Sequence, residues 1–130
     1  MIEYSLDWGS KQALMEIVDR LNMRHIDPER VVCVRSAGSK SRRTLARCHV
    51  LPRIMQKSLG LEAHYVIELI SEKYDRLSEE EKVKTLIHEL LHIPKAFGGG
   101  FRHHDYVNSR TVDGLYERLR RDWNARSAVP

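Results

Sequence analysis

The chain has little cysteine. Cys33 and Cys48 are two residues in 130, and neither belongs to a Cys-x-x-Cys pair. That excludes a disulfide framework. A long uncharged apolar run is lacking as well, so no transmembrane helix is expected. The opening stretch, MIEYSLDWGSK, carries an acid at position 3 and no apolar core, so no signal peptide is expected. The setting these absences imply is cytoplasmic, with both thiols reduced. Internal repeats, low-complexity tracts and linkers are missing too. With 42% apolar and 31% charged residues, the chain is expected to fold as a single globular domain spanning 1–130.

Acid is absent from one segment. Between Val31 and Leu61 there is no Asp or Glu, while Arg35, Lys40, Arg42, Arg43, Arg47, Arg53 and Lys57 supply seven bases. Seven of the 22 bases lie there, leaving 15 against 18 acids elsewhere, so the whole positive excess behind the net charge of +4 is local. A solvated face, attraction of acidic substrates and contact with nucleic-acid phosphates are the three readings of segment 35–57. The segment lacks the interleaved aromatics of a single-strand stacking platform.

Apolar spacing predicts a helix over Ser10 to Asn22, through Ala13, Leu14, Ile17, Val18 and Leu21. Asp27-Pro28 marks a break, and Val31 to Val34 reads as a strand. Leu45 to Leu51 is compatible with a strand, and Pro52 starts a short helix ending at Leu59-Gly60. His64 to Ile70 reads as a strand sandwiched on both faces. Ser78 with Glu81 three residues on is a capping box, and Glu79 to Glu81 suit the positive end of a helix dipole. The helix they open carries Val83, Leu86, Ile87, Leu90 and Leu91, and Pro94 stops it. Gly98 to Gly100 form a loop, either a lid over a site or a surface turn that tolerates left-handed φ, with the lid preferred. A last helix is predicted from His104 to Trp123.

The second strongly marked helix contains His88-Glu89-Leu90-Leu91-His92, an H-E-x-x-H motif. Two His at i and i+4 share a helix face, so both imidazoles reach one ion. Glu89 projects about 100° around the helix and can reach a water on that ion without joining the coordination shell. Zinc lowers the pKa of such a water toward ~7, and the Glu takes the proton.

A catalytic zinc needs a third protein ligand. His103, His104, Asp105, Asp113 and Glu117 are the candidates. The H-E-x-x-H-x-x-G-x-x-H pattern fails, because position 95 is Lys and position 98 is Gly. If the last helix already runs at His104, that residue lies about 65° from the centre of the apolar face and His103 about 165°. His104 is therefore preferred, with Glu117 as the alternative. Asp105 is read as a cap or as a partner of a ligand imidazole. Tyr106 and Tyr116 are potential oxyanion donors, though packing is the commoner role. Cys48-His49 is not a metal pair, since neighbours on a strand point to opposite faces.

The stretch His88 to Asp105, HELLHIPKAFGGGFRHHD, resembles the uncharacterised archaeal and phage metallopeptidases, which in turn look like relatives of SprT-like zinc proteases. The shared pattern is a strand, an acidic cap, H-E-L-L-H, a short loop, then Arg-x-His-Asp. The resemblance implies that His104, before the Asp, is the third zinc ligand beside His88 and His92, with Glu89 as the catalytic base. SprT-like proteases often carry a Cys-rich zinc ribbon, and these 130 residues contain none. The fold it implies is α+β, a minimal zincin-like domain. A small sheet packs on the H-E-x-x-H helix, and a C-terminal helix supplies the third ligand. The strand His64 to Ile70 is the candidate edge for pairing with an extended peptide substrate.

The expected function is zinc-dependent endopeptidase action on a protein or peptide, extending to DNA-associated proteins through segment 35–57. One alternative is a metal-dependent hydrolase of a non-protein substrate, for which Gly98 to Gly100 would cradle a phosphate. The other is a non-catalytic, zinc-stabilised nucleic-acid-binding module, with His103 or Asp105 closing a four-ligand site.

Overall fold

The structure is a computed structural model that describes residues 1–104 and 106–127, with side chains to Ala125. The elements run β1 (Glu3–Leu6), α1 (Trp8–Arg20), a 3-10 turn (Pro28–Arg30), β2 (Val31–Ala37), β3 (Ala46–Val50), α2 (Arg53–Leu59), β4 (Tyr65–Ile70), α3 (Ser71–Tyr74), α4 (Glu79–Leu91) and α5 (Ser109–Ser127). The fold is α+β. Among the described residues no helix is long and apolar enough to cross a membrane.

One mixed sheet has the order β1-β2-β4-β3. β2 and β4 are parallel, with Val31 opposite Tyr65 and Cys33 opposite Ile67. β1 is antiparallel to β2, and β3 to β4. The six residues Tyr-Val-Ile-Glu-Leu-Ile form β4, which is buried almost throughout, a setting that suits an apolar run interrupted only by Glu68. Its Tyr65, Ile67 and Leu69 share a face with Val31 and Cys33 and meet Leu14 and Ile17 of α1 and Leu86, Ile87 and Leu90 of α4 in one core.

Helix starts follow side-chain caps. Asp7 accepts from the Ser10 N–H at 2.9 Å and opens α1 two residues earlier than the apolar spacing indicates. Ser78 accepts from the Glu81 N–H at 3.2 Å and opens α4, as expected. The last helix departs from expectation. Asn108 Oδ1 accepts from the Thr111 N–H at 3.0 Å and its carbonyl from the Val112 N–H at 3.0 Å, so α5 begins at Ser109 and not at His104.

The sheet order corrects the assignment of the free edge. The strand from His64 to Ile70, read as the edge beside the cleft, is β4 and is flanked by β2 and β3. The edge strand against α4 is β3. Ile70 N–H donates to the Leu45 carbonyl and Leu51 N–H to the His64 carbonyl. Alternation along an antiparallel pair then turns the N–H and C=O groups of Ala46, Cys48 and Val50 away from the sheet, toward the free side.

Candidate metal centre

Three imidazoles come together above α4. Ring centroids lie 5.1 Å apart for His88 and His92, 5.4 Å for His88 and His104, and 5.0 Å for His92 and His104. One nitrogen from each falls within 4.8 Å of the others, close enough to hold one ion. His88 lies in the last turn of α4 and His92 caps its end. His104 comes from the segment between α4 and α5, where the His103 carbonyl accepts from the N–H groups of Tyr106 and Val107. The third imidazole is thus delivered by a turn ahead of the C-terminal helix.

His92 is the best-held of the three. It is buried, and its Nδ1 donates to the Arg102 carbonyl at 2.5 Å, which leaves Nε2 as the free lone pair. The Arg102 N–H in turn donates to the His92 carbonyl at 2.7 Å. Phe101 stacks on the His92 ring at 4.5 Å with planes 15° apart. Neither contact is legible in the H-E-x-x-H motif, since one is a main-chain carbonyl and the other a ring nine residues beyond it.

Burial sets the electrostatics. Desolvation, with the neighbouring His92 and His104, holds the His88 pKa down at about 4. Burial likewise lowers His92, helped by His104 and His103 and opposed by the bond to Arg102. Both rings are therefore neutral donors at pH 7, the form a metal requires. Glu89 is 5% exposed, and burial alone pushes its carboxyl up to about 7. Its Oε1 lies 4.0 Å from His92 Nε2. A carboxyl with that pKa can both take and return a proton near neutrality.

The remaining candidates are engaged elsewhere or lie outside this group. Glu117 pairs with Arg120 at 2.8 Å, and Asp113 with Lys84 at 3.1 Å. His103 is exposed and packs on Phe101. Asp105 lies outside the described residues. Tyr106 lies under the Arg102 guanidinium, and Tyr116 under Lys84. Cys48 and His49 point to opposite faces, as expected. Cys48 faces the helices, where burial and the charge of Glu89 raise its thiol to about 12. His49 bonds Glu68 at 2.7 Å on the other side.

A cleft of about 760 Å³ is lined by His88, Glu89 and His104 and bounded by residues 43–46 ahead of and at the start of β3 and by α4 and the start of α5. The glycine loop beyond it is not a free lid. Tyr65 of β4 donates its hydroxyl to the Gly100 carbonyl at 2.8 Å and accepts from the Gly99 N–H at 3.2 Å. Phe97 is buried against the same Tyr65 ring, 5.1 Å away, with the Arg30 guanidinium 4.8 Å above it. Gly99 has φ +101, and a Cβ there would approach Gln56 to 2.5 Å. Removing the anchor in Tyr65→Phe is expected to cost about 1 kcal/mol in denaturant unfolding and to speed hydrogen exchange at the Gly99 amide. Unchanged protection at that amide would show that the loop is held some other way.

Residues 6–125 match a family described as Putative phage metallopeptidase. No curated protein and no solved structure matches the chain.

Proposed function

Since the chain belongs to the Putative phage metallopeptidase family, we propose that it is a zinc-dependent endopeptidase in which His88, His92 and His104 hold the ion and Glu89 is the base. The observation that carries this reading is the convergence of three imidazoles beside a buried carboxyl, with His88, His104 and Glu89 lining a cleft bordered by an edge strand. The donor set fits a zinc ion: all nitrogen, with His92 Nε2 left free by the Arg102 carbonyl. When bound, zinc supplies Lewis acidity toward the scissile carbonyl and the attacking water. Glu89 takes the proton from that water and passes it to the leaving amine. The outward N–H and C=O groups of Ala46, Cys48 and Val50 pair with the substrate backbone and align it along the cleft.

The basic segment has a more limited reach than its composition implies. Arg35 is held by Asp7 and Asp75, and Arg47 by Glu68. Lys40, Arg42, Arg43, Arg53 and Lys57 have no ion-pair partner among the described residues. Arg43 borders the cleft itself. These five cations support substrates associated with DNA as the natural targets. The non-protein hydrolase reading loses its phosphate cradle, because Gly99 N–H is taken by Tyr65 and the next helix begins only at Ser109.

The test is cleavage of an unfolded basic protein by the zinc-loaded chain, with and without single-stranded DNA, against the same protein stripped by a chelator. Cleavage is expected in the loaded protein, lost on stripping, restored by zinc and raised by DNA. Absence of cleavage with zinc bound, or cleavage that survives stripping, would overturn the endopeptidase reading. Cleavage indifferent to DNA would overturn the DNA-associated part alone.

A further inference from the structure

On the other side of the loop that carries Arg102, a second concavity of about 270 Å³ lies between the end of α1, the end of α4 and the middle of α5. It shares no lining residue with the metal cleft. Its polar wall consists of Lys95, Arg102 and Arg118, with His25, Asn22 and Tyr106. No described carboxylate lines it, and none pairs with these three cations. Arg20, Arg30, Arg35, Lys84 and Arg120 each hold an acid. Lys95, Arg102 and Arg118 share the lack of one with the cations of segment 38–57 but differ from them in lining a single concavity.

The cations converge and are partly fixed. Burial lowers the His25 pKa, its bond to the Ile93 backbone opposes that, and the charges of Lys95 and Arg102 lower it further. Both cations therefore act on the same ring from outside their own chain neighbours. Arg118 donates to the Leu21 carbonyl at 2.7 Å, which anchors one corner of its guanidinium. Arg102 lies 3.4 Å over the Tyr106 ring, so its fork is oriented by stacking. Three like charges gathered in a concavity repel one another, and a multiply charged oxyanion relieves that repulsion while accepting several charge-assisted hydrogen bonds.

We propose that this concavity binds a phosphate-type oxyanion, and that its occupancy is felt at His92 through Arg102. The coupling has a short physical path. The side chain of Arg102 lines the concavity, while its main chain gives and takes the two hydrogen bonds that orient His92. An anion that fixes the Arg102 side chain steadies the main chain behind it, and so narrows the range of His92 ring orientations. By linkage, whatever fixes His92 tightens the anion site in turn. The anion site stands independently of any metal; only the value of the coupling rests on the metallopeptidase reading.

The test uses the metal-free chain, so failure of the peptidase reading does not enter. Inorganic phosphate and a nucleoside monophosphate are titrated at constant ionic strength, with chloride as the balancing anion, and nitrogen-proton NMR follows the Arg side chains and the His92 ring N–H. Saturable shifts are expected at Arg102, Arg118 and His92. Lys95→Gln, an exposed side chain, should weaken binding several-fold, and Lys95→Gln with Arg118→Gln at least about tenfold. Tighter binding of the monophosphate would identify the site as the seat of a larger ligand's phosphate, and equal binding would identify free phosphate. Shifts that never saturate, or that persist unchanged in Lys95→Gln and in the double variant, would overturn the site. Saturation at Arg118 with a silent His92 signal would overturn the coupling.

Discussion

Glu89→Gln is expected to lower kcat/KM on a peptide substrate by about 10²–10⁴-fold while leaving the bound metal and the fold in place. The substitution is nearly isosteric, and the side chain it alters is 5% exposed, so shape is what the surrounding core requires of it. Among the described residues its carboxyl makes no side-chain hydrogen bond that could be lost; the His92 Nε2 lies 4.0 Å away. What disappears is the ability to accept a proton beside the imidazoles, held near neutrality by burial. Turnover, metal content and melting temperature are measured on the same preparation. Retained turnover in Glu89→Gln would remove Glu89 from the mechanism, whereas lost metal would mean that it is a ligand.

His92→Ala and His104→Ala are expected to separate metal affinity from stability. Loss of a group that merely orients a ligand imidazole costs about 10–100-fold in affinity, so loss of either imidazole itself should exceed ~100-fold by the same reasoning. The two differ in what else they disturb. His92 is 3% exposed, stacked on Phe101 and bonded to the Arg102 carbonyl. Its removal leaves that carbonyl without its side-chain donor and should destabilise the metal-free protein by about 1–3 kcal/mol. His104 is exposed on a turn and makes no such bond, so His104→Ala should leave metal-free stability within about 0.5 kcal/mol. Competition against a chromophoric chelator reads affinity, and denaturant unfolding of stripped protein reads stability. Stoichiometric metal bound with unchanged affinity in either variant would exclude that residue as a ligand.

The part of the site carried by one continuous helix was legible in advance, because helical spacing alone brings His88 and His92 to one side. The capping signal at Ser78 and the apolar run of β4, broken only by Glu68, were equally local. His104 joins the group, but the helical phase used to prefer it assumed a helix starting there, and Asn108 starts α5 four residues later. The Arg-x-His-Asp pattern does not depend on that phase. What pattern could not show is long-range pairing. The parallel union of β2 with β4 puts β3 on the edge, and nothing within residues 64–70 announces that. β1 left no trace because all four of its residues are exposed and it joins the sheet by backbone pairing with β2. The lid reading of Gly98 to Gly100 failed for a similar reason, since its anchor is a tyrosine hydroxyl more than thirty residues away.

The route from β2 to β4 carries a consequence for how such a chain can change. These two strands are parallel neighbours, yet the backbone leaves the sheet after Ala37, builds β3 and α2, and returns at Tyr65. Everything that borders the cleft on its strand side, from Arg43 to Ala46, belongs to that detour. α2 within it has no buried residue. The excursion can therefore be lengthened, shortened or exchanged at its outer parts while β2, β4 and α4 keep their mutual packing. The rim of the cleft and the histidine-bearing scaffold occupy separable stretches of one short chain, so a library confined to residues 39–44, ahead of β3, varies the cleft wall while β3 and the core residue Ala63 stay unaltered.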